Sequence, residues 1–278
     1  MLSPSTFTSI INSYLPEPHA SLLNGILFGV SLKTTKAFYE QLKMVGLLHI
    51  VVLSGMNITF LSAVITNITG FLSRRVSFLL TILIIILFII FVGPQAPIVR
   101  AGFMGILTSV AILSGRKNLV LYSLFLSAIF IALFWPKWLT TISFQLSYGA
   151  TLGIILFGRV KSLSPPPKSQ RKEKVKNFLR EAWYVFWKEF KPSLAAQVFT
   201  APIIFLYFKQ ISLISPLANV LVSFTIVPLM IFGFLTAILG KINFYLGFLP
   251  AWICYLFLSY IIFIVETLTK IPGIFIKF

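Results

Sequence analysis

The sequence predicts an all-α polytopic membrane protein, and three observations carry that prediction. Of its 278 residues, 58% are hydrophobic and only 10% are charged, with 29 Phe among them, and the mean hydropathy is +0.98. Several uncharged runs reach the roughly 20 residues that a helix needs to cross a bilayer. The runs are continuous rather than alternating, so they are helices and not the strands of a closed barrel, the other structure that satisfies its backbone in hydrocarbon.

Taken in order, Phe7, Ile10, Ile11, Tyr14 and Leu15 fall at helical spacing with Ser5, Ser9, Asn12 and Ser13 between them. That pattern predicts a short interfacial helix stopped by Pro16 and Pro18. Ala20 to Leu32 is apolar but only about 13 residues long, short for a crossing, and is expected to be re-entrant or interfacial. About eight crossings come next, near 46–70, 77–92, 97–114, 119–135, 139–158, 192–208, 213–239 and 244–268. Arg74-Arg75, Gly93-Pro94, Arg116-Lys117, Pro136-Lys137, Lys209 and Gly240-Lys241 separate them, as does a long basic segment. The expected organisation is an N-terminal interfacial segment (1–45), a first bundle half (46–158), a basic cytoplasmic loop (159–191) and a second bundle half (192–278).

The formal net charge of +17 comes from 23 Lys and Arg against 6 acids. Alternate loops hold about seven and about fifteen of the basic residues, and the richer side, with Arg74, Arg116, Lys241 and 159–191, is expected to be cytoplasmic. Both chain ends then lie outside the cytoplasm. The basic balance also suits an anionic leaflet or a polyanion. In 159–191, Pro165-Pro166-Pro167 predicts a stiff extended exit from the fifth span. Val175, Phe178, Leu179, Ala182 and Phe186 then form an apolar stripe opposite Lys172, Lys176 and Arg180. This is a basic amphipathic helix, lying on an anionic leaflet or meeting nucleic acid or a partner.

Cys254 is the only cysteine, which excludes a disulfide framework and a cysteine zinc site. No Lys or Arg precedes an apolar core at the N-terminus, so no signal peptide is expected. No phosphate-binding Gly-rich loop and no His-Glu-x-x-His occurs, and His19 and His49 are the only histidines. Without a carboxylate pair or a nucleophile with its base, no catalytic residue, metal or cofactor is expected, and the chain reads as no enzyme.

The polar residues inside apolar runs are the candidate site. Gly46 to Thr59 holds His49, Ser54, Gly55 and Asn57. One ideal helix would gather Gly46, His49, Ser54 and Asn57 within about 140° of arc. Ile50, Leu53 and Leu61 share that sector, so the alternative is a local break at Ser54-Gly55. Such side chains either join helices or mark a path for substrate. Arg100, near one end of the third span, costs about 2.5–3.5 kcal/mol at mid-membrane; it either snorkels outward or is a fixed charge in an aqueous path. Small residues recur every four positions at Ala101, Gly105 and Ser109, and likewise at Gly149 and Gly153 after Gln145. Ser193, Gln197 and Ala201 repeat the spacing, which predicts tight helix packing with Gln145 and Gln197 bonded across it. Pro202, Pro216, Pro228 and Pro250 interrupt late spans, and Asn219 is placed to meet the backbone groups they free.

These stretches resemble the ComEC family of competence proteins. Gly46-Leu47-Leu48-His49 with Leu53-Ser54-Gly55-Met56 is similar to one family motif, and Ile98 to Met104 to a second. Phe144-Gln145-Leu146-Ser147-Tyr148-Gly149-Ala150 resembles a third. Ala196-Gln197, Ala201-Pro202, Ile211-Ser212, Ser215 to Asn219 and Pro228 resemble a fourth. All four occur in the family's order. The resemblance implies a channel of the bacterial cytoplasmic membrane that carries single-stranded DNA inward during competence. It implies as partners a DNA receptor, a cytoplasmic helicase-like ATPase and pilus machinery; membrane lipids and a second copy of the chain in a homo-oligomer are expected besides. His49, Ser54, Gly55, Asn57, Arg100, Gln145, Ser147, Gln197 and Asn219 are the residues expected on its path or in its structural motifs. Arg100 would supply charge for phosphates, and Phe144 and Tyr148 faces for bases. Family members commonly have His where this chain has Asn57, so proton or metal chemistry is not expected there. Neither a soluble N-terminal domain nor a metallo-β-lactamase-like nuclease domain fits, and the membrane domain alone is expected. A secondary transporter of a smaller anion and a scaffold using the basic loop are the competing readings.

Overall fold

The computed structural model describes residues 4–51, 55–116, 119–158, 174–271 and 275–277. Among them the helices are α1 Pro4–Tyr14, α2 His19–Phe28, α3 Lys36–Val45, α4 Leu48–Val51, α5 Gly55–Ile68 and α6 Arg74–Val92. They continue as α7 Ala96–Leu113, α8 Val120–Phe134, α9 Ile142–Phe157, α10 Lys174–Phe208, α11 Ser215–Ile242 and α12 Phe244–Thr269. The short strands β1 Gln210–Ser212 and β2 Phe275–Lys277 pair antiparallel, Ile211 opposite Ile276. This is an all-α membrane protein.

Among the described residues four helices, α6, α7, α11 and α12, are long and apolar enough to cross a membrane. The other expected crossings fall on shorter pieces: 119–135 on α8, 139–158 on α9, and 192–208 on the second half of α10. The surface is apolar, with Leu79 61%, Ile90 69%, Leu133 75% and Phe263 62% exposed. Facing acyl chains, such residues lose nothing by being outside. The interior in turn admits Thr225, Thr236 and Ser127 at full burial. Each hydroxyl donates to a carbonyl of its own helix, on Val222, Phe232 and Leu124 respectively, which satisfies it without a partner helix.

Three sequence expectations are corrected. The 46–70 run does not begin as helix: Gly46 caps α3 in a left-handed conformation (φ 78°), and helix is described over Leu48–Val51 and from Gly55 onward. The arc that counted Gly46 as part of one ideal helix therefore does not apply, while the break expected at Ser54-Gly55 lies partly outside the described residues. Second, the amphipathic helix and the sixth crossing are one helix, α10, which runs through Pro192 and Pro202. The expected boundary at residue 191 falls inside it. Proline removes one helical hydrogen bond but does not end a helix whose flanks keep packing.

The third concerns α2 and the chain around it. Tyr14 donates from Oη to the Phe244 carbonyl at 2.6 Å and Lys241 lies over the Phe7 ring, so α1 sits at the α11–α12 turn. Strand β2 pairs with β1, at the opposite end of that hairpin. The chain passes from the α11–α12 turn toward the start of α11, beginning with α2. Leu23 and Leu27 pack on Gly233, while Gly46 packs on Ser215 at the start of α11. Every residue of α2 from Ala20 to Phe28 is buried; α2 is neither interfacial nor long enough to cross alone, and 29–46 completes the passage. Asn57 locks it in place: its Nδ2 donates to the Ile26 carbonyl at 2.6 Å, both buried. Asn57→Leu leaves that carbonyl unpaired, and a loss of about 1–3 kcal/mol is expected in unfolding from detergent micelles.

Candidate functional site

The site is built from four places in the chain that the fold brings together. Helix α7 starts after Gln95 with Pro97 in its first turn and carries Arg100 one turn in. The arginine does not snorkel: it is 9% exposed. Its Nε donates to Ser147 Oγ on α9 at 2.9 Å, and its Nη1 reaches Met104 Sδ at 3.7 Å. The guanidinium lies over the Tyr148 ring, 5.9 Å from its centroid, a cation–π contact that strengthens out of water. Tyr148 is fixed in turn by a 2.8 Å hydrogen bond between its Oη and Ser127 Oγ of α8. On the other side Nη2 lies 2.7 Å from where a Cβ on Gly55 would stand, and Ala101 Cβ lies at 3.1 Å. Gly55 is therefore the residue that lets α5 close over the guanidinium.

A guanidinium has five N–H donors. Here one meets a hydroxyl and one a thioether, and among the described residues no carboxylate pairs with it; Lys43–Glu40 is the ion pair present. The arrangement holds a positive charge inside the bundle, oriented by neutral groups, with donors left over for an anion.

A second polar group adjoins it through the chain. His49 Nδ1 donates to the Gly46 carbonyl at 2.9 Å, and Ser215 Oγ donates to the same carbonyl at 3.4 Å. A Cβ on Gly46 would stand 2.6 Å from Ser215 Cβ and 3.3 Å from Ser212 Cβ. Gln197 Nε2 donates to the Ser212 carbonyl, and Asn219 Nδ2 donates to Ser193 Oγ at 2.7 Å. Among the described residues, Gln197 Oε1, Asn219 Oδ1 and Ser212 Oγ are buried without a hydrogen-bond partner. Buried polar atoms are rarely left so, and these mark a polar seam between α10 and α11.

The sequence-predicted residues thus divide. Gly55, Arg100 and Ser147 meet directly; His49, Gln197 and Asn219 belong to the second group. Asn57 ties α5 to α2 instead. Gln145, half-buried on α9, makes no side-chain hydrogen bond among the described residues, so the bond expected across helices is absent, and Gln197 bonds to β1 rather than to a facing helix. Ser54 lies outside the described residues. Phe144 and Tyr148 stack on each other at 4.1 Å, so each covers one face of the other. Sequence reasoning missed Ser127 as a participant, since a serine in an apolar helix carries no signal of its partner, and met Ser212 and Ser215 only as members of a motif. Among the described residues no group of three or more His, Cys, Asp or Glu can hold a metal.

Comparison with known proteins gives the family. The family described as "Competence protein" matches residues 26–278, which includes all four motif stretches. ComE operon protein 3 of Bacillus subtilis (strain 168) is 26% identical over 258 residues, covering 88% of this chain and 31% of that protein. The chain therefore spans about a third of the length of this relative. No solved structure gives a significant match. With the match running over nearly the whole bundle and the motifs packed against one another, the chain belongs to the competence protein family.

Proposed function

We propose that the chain is the part of a ComEC-type channel through which one strand of transforming DNA crosses the cytoplasmic membrane, the passage following the polar seam from His49 to Arg100. The observation that supports it is Arg100: a buried, oriented guanidinium with donors unused and no carboxylate beside it among the described residues. Each nucleotide of a passing strand brings one phosphate, and a guanidinium is the side chain best shaped to receive it. One such charge, rather than a lined basic groove, gives brief contact and release, which suits a conduit. The unpaired acceptors Gln197 Oε1 and Asn219 Oδ1 suit water or the amino groups of bases.

Nothing in the geometry supplies energy, so the drive is assigned to a cytoplasmic helicase-like ATPase, with a receptor and pilus delivering DNA from outside. By the charge rule the cytoplasmic end is that of Lys241 and 159–191. A reporter ahead of α1 is then expected to be cytoplasmic and one after Lys277 external, a pair of results that phosphatase and fluorescent-protein fusions read directly. The functional test is uptake of labelled DNA by cells whose only copy carries Arg100→Ala. Normal transformation, with loss of uptake of a smaller anion, would favour a solute transporter instead.

A further inference from the structure

Outside the polar seam, the most ordered unexplained feature is a ladder of rings on the first half of α10. Trp183, Phe186, Trp187 and Phe190 succeed one another at i, i+3, i+4 and i+7, along one face of the helix. Trp183 stacks on Phe186 and Trp187 at 5.8 and 5.9 Å, and Phe190 on Phe186 and Trp187 at 5.2 and 5.7 Å. Trp183 is 64% exposed and Trp187 39%.

The register of α9 against α10 tells where this ladder stands. Gly153 packs on Ala195 and Phe199, and Gly149 on Phe199 and Ile203. The two helices are antiparallel, with Ile142 near the level of Phe208 and Phe157 near that of Ser193. The ladder therefore projects past the end of α9. At the other end of α9, Trp135 and Trp138 stack at 4.9 Å and 7°. Counting along α10 from Phe208 to Trp187 at 1.5 Å per residue gives about 31 Å between the two tryptophan levels. That is the thickness of the hydrocarbon core, about 30 Å, and tryptophans collect at its two boundaries.

We infer that the ladder is a lipid-binding surface, seated in the headgroup layer of one leaflet and specific for anionic phospholipid. From Lys174 to Lys191 five basic residues stand against Glu181 and Glu189, so the segment carries net positive charge beside its rings, and a polybasic segment draws anionic headgroups. The level of the ladder, about one hydrocarbon thickness from Trp135 and Trp138, favours lipid over nucleic acid. The surface fixes the depth of α10, and with it the seam between α10 and α11. It does not depend on the DNA reading.

The test uses the full chain with Trp135, Trp138 and Trp252 replaced by Phe, reconstituted in phosphatidylcholine alone or mixed with phosphatidylglycerol. Bromines near the ester end of the acyl chain are expected to quench Trp183 and Trp187 about twofold more than bromines near the chain terminus. Phosphatidylglycerol should blue-shift their emission, and Lys188→Glu with Lys191→Glu should remove that shift. A nitroxide at Glu189→Cys in the otherwise unaltered chain gives the same depth if the triple replacement does not fold. Absence of quenching by either bromine position overturns the inference, as does quenching by oligothymidylate where lipid bromines have no effect.

Discussion

Arg100→Ala is expected to lower DNA uptake about a hundredfold while leaving the bundle folded. Hydrogen bonds to a charged group contribute about 1.5–3 kcal/mol each, and about 2.7 kcal/mol is a hundredfold in occupancy. Folding should survive because the substitution removes a buried charge that has no counter-charge, and such a charge opposes stability. Ser147 Oγ loses its donor but keeps its own hydroxyl proton to give. Arg100→Lys is the sharper version. It preserves the charge yet lacks the planar fork that reaches Ser147 from Nε while lying over Tyr148, so it should recover only part of the uptake. Rates of labelled-DNA entry, compared with membrane content of each variant, read both results. A lysine variant with full activity would mean that charge alone matters and that the Ser147–Tyr148 cradle is incidental.

The second large effect is on stability. Gly153 of α9 rests directly on the Ala195 carbonyl of α10, and a Cβ there would also stand 2.9 Å from Phe199 Cδ2. Backbone cannot turn aside as a side-chain tip can, so Gly153→Ala must push the helices apart, at a cost of about 1–3 kcal/mol. Gly153→Leu should prevent α9 and α10 from packing at all. Gly105 is the control. Its nearest neighbours would be Ile85 at 3.6 Å and Ile58 at 4.0 Å, ordinary contact distances. Gly105→Ala should therefore be neutral or stabilise by up to about 1 kcal/mol, because a helical glycine is less favourable than alanine. Unfolding of purified protein in micelles, monitored by circular dichroism, distinguishes the two; equal effects would mean that the α9–α10 approach is looser than described.

How much of this was legible in the sequence depends on what kind of signal each part leaves. The long apolar runs of α6, α7, α11 and α12 are written in composition, because lipid imposes it. The small-residue spacing at Gly149 and Gly153 announced that α9 packs closely on a neighbour, though not that the neighbour is α10. By contrast, the end of α3 at Gly46 depends on a positive φ and the closeness of α5 to Arg100 on Gly55 yielding space, both tertiary facts. The burial of α2 was hidden for a similar reason: a short, mostly apolar run reads alike whether lipid or protein surrounds it. Continuity of α10 through Pro192 was also unreadable, because neighbouring helices decide whether a proline breaks or bends. In the site, Arg100 and Gln197 stood out as polar groups in apolar runs, while Ser147 entered only through its motif. That Gly55, Arg100 and Ser147 meet could not be read from one chain, nor could the Ile26 carbonyl be named as the partner of Asn57.

The central claim is that the seam holding Arg100 is where the strand passes. A photo-crosslinking amino acid placed at Tyr148, beside the guanidinium, tests it in cells taking up DNA. The same group placed at Thr236, fully buried inside α11, serves as the comparison. DNA adducts are expected at position 148 during uptake and none at 236. Continued transformation by the 148 variant without any adduct there would contradict passage along this seam.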